Sequence, residues 1–311
     1  MDFLANYFGS LNPMSFLSAL PGNIAQGIIW GLMGLGVFLT FKLLNFADLS
    51  VDGSFATGGA VTAVMLINGC PVWATIIVAI LAGLAAGLVT GLLHTLLGIP
   101  DILAGILTQI ALYSINLNIM GKSNLPISYR NYTLVVSASN INMAILVGLG
   151  ICAIVIAAMY WYFGTEQGST IRSTGSNPAM SKAQGININF TKVIALALSN
   201  GLVALSGSLF AQYQGFADIN MGRGAIVIGL AAVIIGEVLG EAIFRKHMNF
   251  IIRMLFVIVG GILYYIAMGI VLCSRCRQTI QSFSRQLSLQ SSLQFRISRK
   301  RERLHSRKLQ K

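Results

Sequence analysis

The sequence predicts an all-α polytopic membrane protein with about eight transmembrane helices, nine if the C-terminal tail is frameshifted, and an inverted internal repeat. Three observations carry that prediction. Of the 311 residues, 55% are hydrophobic and only 10% are charged, whereas water-soluble domains usually carry about 25% charged residues. Seven or eight apolar stretches approach the roughly 20 residues that a helix needs to cross a hydrocarbon core. Finally, Phe-Ala-Asp occurs at 46–48 and again at 216–218, each time behind an apolar helix.

The stretches run at approximately 22–43, 54–69, 73–98, 101–120, 143–163, 190–213, 224–240 and 254–272. The second and the seventh are short and rich in glycine, and each follows one Phe-Ala-Asp segment. Short spans at corresponding places in two halves point to the substrate pathway of a transporter. Residues 1–272 therefore read as one transmembrane domain, with repeat halves at about 22–120 and 190–272 joined through a loop at 165–189. Basic residues concentrate in cytoplasmic loops. Arg172, Lys182 and Lys192 in one loop, and Arg245, Lys246 and Arg253 in another, assign both to the cytoplasm. Parity then puts the amino terminus and the loop from Lys122 to Asn142 outside, although Lys122 and Arg130 lie there, and it puts Lys42 inside. By the same parity Asp48 belongs near the cytoplasmic face and Asp218 near the outer face. The amino terminus has no basic region before its apolar residues, so the spans themselves direct insertion.

The formal charge of +12 suggests nucleic acid until it is located. From Arg275 onward eleven Lys and Arg stand against Glu302 alone, which is ten of the twelve charges. The charge describes a tail, 273–311, and no nucleic-acid surface. That tail opposes the positive-inside tendency. With suitable codons, a reading frame one base earlier turns part of it into a short loop, an apolar span and a basic end. It is thus either a basic, disordered or lipid-bound segment or a frameshifted final span. Cys273 and Cys276 form a lone C-x-x-C with no second ligand pair, which makes no metal site. There is no phosphate-binding G-x-x-x-x-G-K-[ST] and no H-E-x-x-H. His94, His247 and His305 are unrelated in position. Catalysis by this chain is not expected, nor is a cofactor within it.

Two polar features remain. The loop "GSTIRSTGSNPAMSKAQGININFTKV" contains Asn177 as an N-cap, Pro178 at the first helical position, a short helix over Ala179–Gln184, and Gly185 at its end. In the fourth span, Thr108, Gln109, Tyr113, Asn116 and Asn118 place several polar groups on one face, either along a pathway or between helices.

The segment "IRSTGSNPAMSKAQGININFTKV" resembles the cytoplasmic coupling loop of bacterial ABC transporter permeases of the branched-chain amino acid and ribose importer class. "NFADLSVDGSFATGGAVTA" is similar to a segment of that class that begins a pore-lining helix. The resemblance covers about residues 20–272 and is nearest to a tryptophan-like amino acid permease subgroup. It implies that Arg172, Gly175, Asn177, Pro178, Ala183, Gly185 and Ile186 form the ATPase-coupling loop. It likewise implies that Asp48, Ser50, Asp52 and Gly53 open a gating or pore-lining segment. Thr108, Gln109, Tyr113, Asn116 and Asp218 join them as pathway candidates. A multi-pass chain of the bacterial plasma membrane is implied, with an ABC ATPase carrying ATP and Mg, a periplasmic or lipoprotein solute-binding protein, a second permease copy and membrane lipid as partners. The rival readings are an ion-coupled secondary transporter using Asp48, Asp52, Asp218 or Glu237, and a scaffold without transport.

Overall fold

The computed structural model describes residues 13–127, 132, 134–244 and 249–271. The basic tail 273–311 with Cys273 and Cys276, the histidines His247 and His305, and the loop cations Arg130, Arg245 and Lys246 lie outside them. Pro21–Ile266 forms one compact unit that holds the helix contacts around the site. A second unit contributes the first described residues of helix α1 and the last of helix α10.

Helix α1 covers Pro13–Val37 and continues into a π-helical turn, Phe38–Leu43. The apolar helices α2 (Val51–Ile67), α3 (Val72–Leu96) and α4 (Asp101–Met120) follow, then α5 (Ile141–Phe163). Two polar helices, α6 (Glu166–Ser176) and α7 (Pro178–Ala183), lead to the long α8 (Ile188–Gln214). Helices α9 (Ala225–Phe244) and α10 (Phe250–Val271) complete the described chain. The only strands among the described residues are β1 (Asn124–Pro126) and β2 (Phe216–Asp218), an antiparallel ribbon with Leu125 opposite Ala217. Among the described residues seven helices are long and apolar enough to cross a membrane, and α2 is the eighth, shorter one. The expected polytopic helical fold is therefore what the chain forms.

Composition explains which helices lie inside. α2 and α8 are rich in Gly, Ala, Ser and Thr, and small residues let helix backbones approach closely in lipid, where no hydrophobic drive separates helix from solvent. A methyl group added at Gly58 would overlap the carbonyl oxygen of Ala204, and one at Gly207 would overlap that of Phe55. The two helices thus run side by side and parallel, tied by Thr62 Oγ1 donating to Ser208 Oγ at 2.7 Å. α1 packs antiparallel on α8, where Ser199 donates to the carbonyl of Gly36 and Ser206 to that of Ile29. In contrast, α4, α5, α9 and α10 turn large apolar side chains such as Ile110, Ile154, Val227 and Leu255 outward, as lipid-facing helices do.

The loop at 165–189 is more ordered than its composition suggests. α6 occupies its first half because Ser and Thr hydroxyls fold back onto the helix: Ser169 donates to the carbonyl of Glu166 and Thr170 to that of Gln167, both at 2.7 Å. Polar, β-branched residues that favour loops in isolation are here satisfied within a helix. Thr165 Oγ1 accepts from Gly168 N–H at its start.

Candidate functional site

The helices after the two Phe-Ala-Asp segments begin inside the bundle, and only the first is short: α9 extends to Phe244, four residues past the apolar stretch read from the sequence, and has 20 residues. Ser54, one turn into α2, donates to the side-chain oxygen of Asn200 at 2.6 Å. Asn200 is the thirteenth residue of the 27 in α8, so it lies roughly 20 Å from either end at 1.5 Å per residue. Asp48 is bound to the same asparagine. It therefore sits near the middle of α8 and not near the cytoplasmic face. The reason is a reversal: past the π-helical turn, Asn45 adopts a left-handed φ of 55°, and 46–50 climb back alongside α8 before α2 starts. At 17 residues α2 is about 25 Å long, enough to reach the far side from mid-depth but not to span about 30 Å of hydrocarbon.

The second half does the same in mirror direction. α8 ends at Gln214, with Gly215 in a left-handed C-cap, and 216–224 return into the bundle before α9 begins. α9 runs alongside the last turns of α1 as far as Lys42, which pairs with Glu237 at 2.9 Å. So α2 leaves the meeting point in one direction and α9 in the other.

Asp52 joins them. It lies in the first turn of α2, yet its carboxylate caps the other helix: Oδ2 accepts from Gly224 N–H at 3.0 Å and Oδ1 from Ile226 N–H at 2.9 Å. A carboxylate suits a helix N-terminus because it satisfies free N–H groups and opposes the positive end of the dipole. Gly222 is required for this approach, since a methyl group there would overlap the carbonyl oxygen of Asp52. Asp48 turns the other way. Its Oδ1 accepts from the N–H and hydroxyl of Ser50 at 2.9 and 2.5 Å, and its Oδ2 from Asn200 Nδ2 at 2.7 Å. The remaining amide proton of Asn200 goes to the carbonyl of Leu196, which leaves the buried network fully bonded. Both acids stand where a short helix starts, but Asp52 serves a helix other than its own.

Beside Asp52 a cavity of about 290 Å³ opens between α2, α4 and the segment before α9. Of the residues read as pathway candidates, Asp52, Gly53, Gln109, Tyr113 and Asn116 line it, together with Arg223. Thr108 does not: it is buried, donates to the carbonyl of Ala104 and accepts from Thr90, binding α4 to α3. Asn118 is exposed on α4. Asp218 lies in the ribbon, where its Oδ1 accepts from Asn220 N–H at 2.7 Å and its Oδ2 meets Asn124 at 3.4 Å. Ser50 belongs to the Asp48 network. Sequence reasoning missed Asn200 and Arg223. The former is one of several amides in a largely apolar span and the latter a cation between glycines, and neither belongs to a pattern that the sequence marks.

The candidate coupling loop forms a separate feature. Asn177 Oδ1 accepts from Met180 N–H at 3.1 Å, Pro178 opens α7, and Gly185 has φ of +81°. Pro178, Met180 and Ala183 are exposed; beyond Gly185, Ile186 N–H donates to the carbonyl of Ser181. Arg172 is exposed but tethered: Nη2 donates to the carbonyl of Phe163 at 2.9 Å, at the C-terminus of α5, and the guanidinium lies 5.8 Å from the ring centre of Phe250. Gly175 meets the backbone of the π-helical turn, where an added methyl group would overlap the carbonyl oxygen of Leu43. The loop is thus fastened to the chain that leads to Asp48.

Comparison with known proteins finds relatives along most of the chain. The family model for the permease component of branched-chain amino acid transport systems matches residues 22–291. A tyrosine transport system permease protein of Clostridioides difficile (strain R20291) is 43% identical over 259 residues, covering 82% of this chain and 84% of that one. Protein RP368 of Rickettsia prowazekii (strain Madrid E) is 32% identical over 244 residues, 78% of this chain and 84% of its own. The D-allose transport system permease protein AlsC of Escherichia coli (strain K12) is 27% identical over 261 residues, covering 82% and 77%.

Proposed function

The chain belongs to the family of permease components of branched-chain amino acid transport systems, and from that premise we propose that it is the plasma-membrane subunit of an ABC importer for a small amino-acid-like solute. The observation that carries the reading is the meeting of the short helix α2 with the 20-residue α9, head to head at mid-depth on Asp52 beside a solute-sized cavity. Alternating access in transporters uses such a site, with the halves rocking about it. Domains follow the same reading, with the transmembrane domain over 1–272 and the tail 273–311 either a basic segment or a frameshifted span.

The chain has no catalytic role in this scheme. ATP and Mg bind a partner ATPase that receives α7, a solute-binding protein delivers the cargo, and a second copy of the chain completes the pore. Movement of α7 passes through Gly175 to Leu43 and on to the Asp48 network. L-Tyrosine is the first solute to test, since the 43% identical relative is named for it. The ion-coupled alternative is less well supported, because its candidate acids are already engaged: Glu237 pairs with Lys42 and sits 3.8 Å from Arg253, and Asp48 and Asp52 have their oxygens hydrogen-bonded.

The test is uptake of labelled L-tyrosine by cells carrying the complete system. Uptake should vanish when the partner ATPase is deleted and survive a protonophore. The reverse pattern would establish a secondary transporter, and no uptake of any amino acid would remove the proposal.

A further inference from the structure

Two polar residues lining the cavity stand out: one is buried without hydrogen-bond partners and the other is a cation without an ion pair among the described residues. Asn116 is fully buried, and neither its amide nitrogen nor its amide oxygen is hydrogen-bonded. Such a group costs about 1–3 kcal/mol when left unsatisfied, so its presence calls for something to bond it. Arg223 makes no ion pair among the described residues. It is held at the level where α2 and α9 begin, since its neighbours Gly222 and Gly224 both touch Asp52. Its side chain is exposed on the cavity, and a charge within a membrane bundle almost always faces the interior or a water-filled cavity and marks a pathway.

The sign of the site follows from its surroundings. Asp52 is the carboxylate in the cavity wall, and both its oxygens are already bonded to the backbone of α9 and the residue before it. The N-termini of α2 and α9 each present roughly half a positive charge, so together they offset Asp52. Asp48 faces Ser50 and Asn200 and does not line the cavity. The guanidinium of Arg223 is the charge that remains.

We infer that this cavity receives the carboxylate of an anionic or zwitterionic solute, with Arg223 as its counter-charge and the Asn116 amide as its neutral hydrogen-bond partner. The inference rests on the transport reading above and names the chemistry by which the site recognises its cargo. The volume of about 290 Å³ has room for about ten heavy atoms at roughly 30 Å³ per water-sized group, the size of a small organic acid or amino acid. Gln109 and Tyr113 supply the polar and aromatic wall for the rest of the solute.

The test does not depend on knowing the solute. In the full-length chain with Cys70, Cys152, Cys273 and Cys276 replaced by Ala, a reporter thiol is introduced by Gln109→Cys, and in a second protein by Tyr113→Cys. Each is labelled in membranes with an anionic sulfonatoethyl and a cationic trimethylammonioethyl methanethiosulfonate. Relative to a free thiol in solution, the anionic reagent should be favoured about tenfold, as expected for a focused positive potential in a cleft. Adding Arg223→Gln should return the ratio to that of the free thiol. Asn116→Asp should do the same, by setting a carboxylate against the guanidinium. A ratio that favours the cation, one indifferent to Arg223→Gln, or reporters that neither reagent reaches would each overturn the inference. No uptake of any amino acid by the unsubstituted system, with the charge preference intact, would instead count against the importer reading alone.

Discussion

The two Phe-Ala-Asp segments share a tripeptide and a turn, yet they stand in opposite surroundings. In both, the aspartate accepts the N–H two residues on, Ser50 at 2.9 Å and Asn220 at 2.7 Å. In the first, Asp48 is 2% exposed and locked to Asn200 in mid-bundle, and α2 starts three residues later. In the second, Asp218 is half-buried at the end of α8, its further contact being Asn124 across the ribbon, and α9 starts seven residues later. The extra residues include Gly222, Arg223 and Gly224, which carry the chain inward to Asp52. Repetition thus reproduced the local turn, while the packing around each copy decided which became a buried clamp and which a surface hinge.

That asymmetry can be broken at four places, in decreasing order of effect. Gly222→Val puts a branched side chain where the carbonyl of Asp52 stands, and it should destabilise the detergent-solubilised protein by about 3 kcal/mol with loss of uptake; thermal unfolding measures the first and vesicle transport the second. Asn200→Leu strips a buried carboxylate of one of its donors and should cost about 2–3 kcal/mol. An unchanged melting curve for that variant would mean that Asp48 is not clamped. Asp52→Asn keeps one acceptor for the N-terminus of α9 and loses the charge, so a smaller cost of about 1 kcal/mol is expected from the same melting measurement. Asn124→Ala, which removes only the 3.4 Å contact to Asp218, should change stability by less than about 0.5 kcal/mol. If it matched Asn200→Leu, the buried clamp and the surface hinge would be energetically equivalent, and burial would not be what separates them.

Much of the fold was legible because hydropathy reports length directly: each span read from the sequence has a helix within a few residues of it, except that α1 begins earlier, at Pro13. Depth was not legible. Hydropathy cannot tell a helix that starts at the membrane surface from one that starts halfway, and the reversal at Asn45 that sets the level of Asp48 depends on one left-handed residue. The capping of α7 was readable from Asn177, Pro178 and Gly185 since its interactions are local. α6 was not, because hydroxyls bonded to carbonyls three residues back give a polar helix the composition of a loop. For the cavity, the polar face of α4 pointed to Gln109, Tyr113 and Asn116 but could not separate them from Thr108, whose partner Thr90 lies on another helix. Arg223 and Asn200 acquire meaning only from the groups brought to them from helices remote in sequence.

Gly175 has one more consequence. Parts that meet through flexible side chains have play between them, and a small displacement of one is absorbed before the other responds. At Gly175 the backbone of α6 bears directly on the backbone at Leu43, and Arg172 pins the same helix to the end of α5. This is a joint without play between its parts, made two residues before the left-handed turn at Asn45.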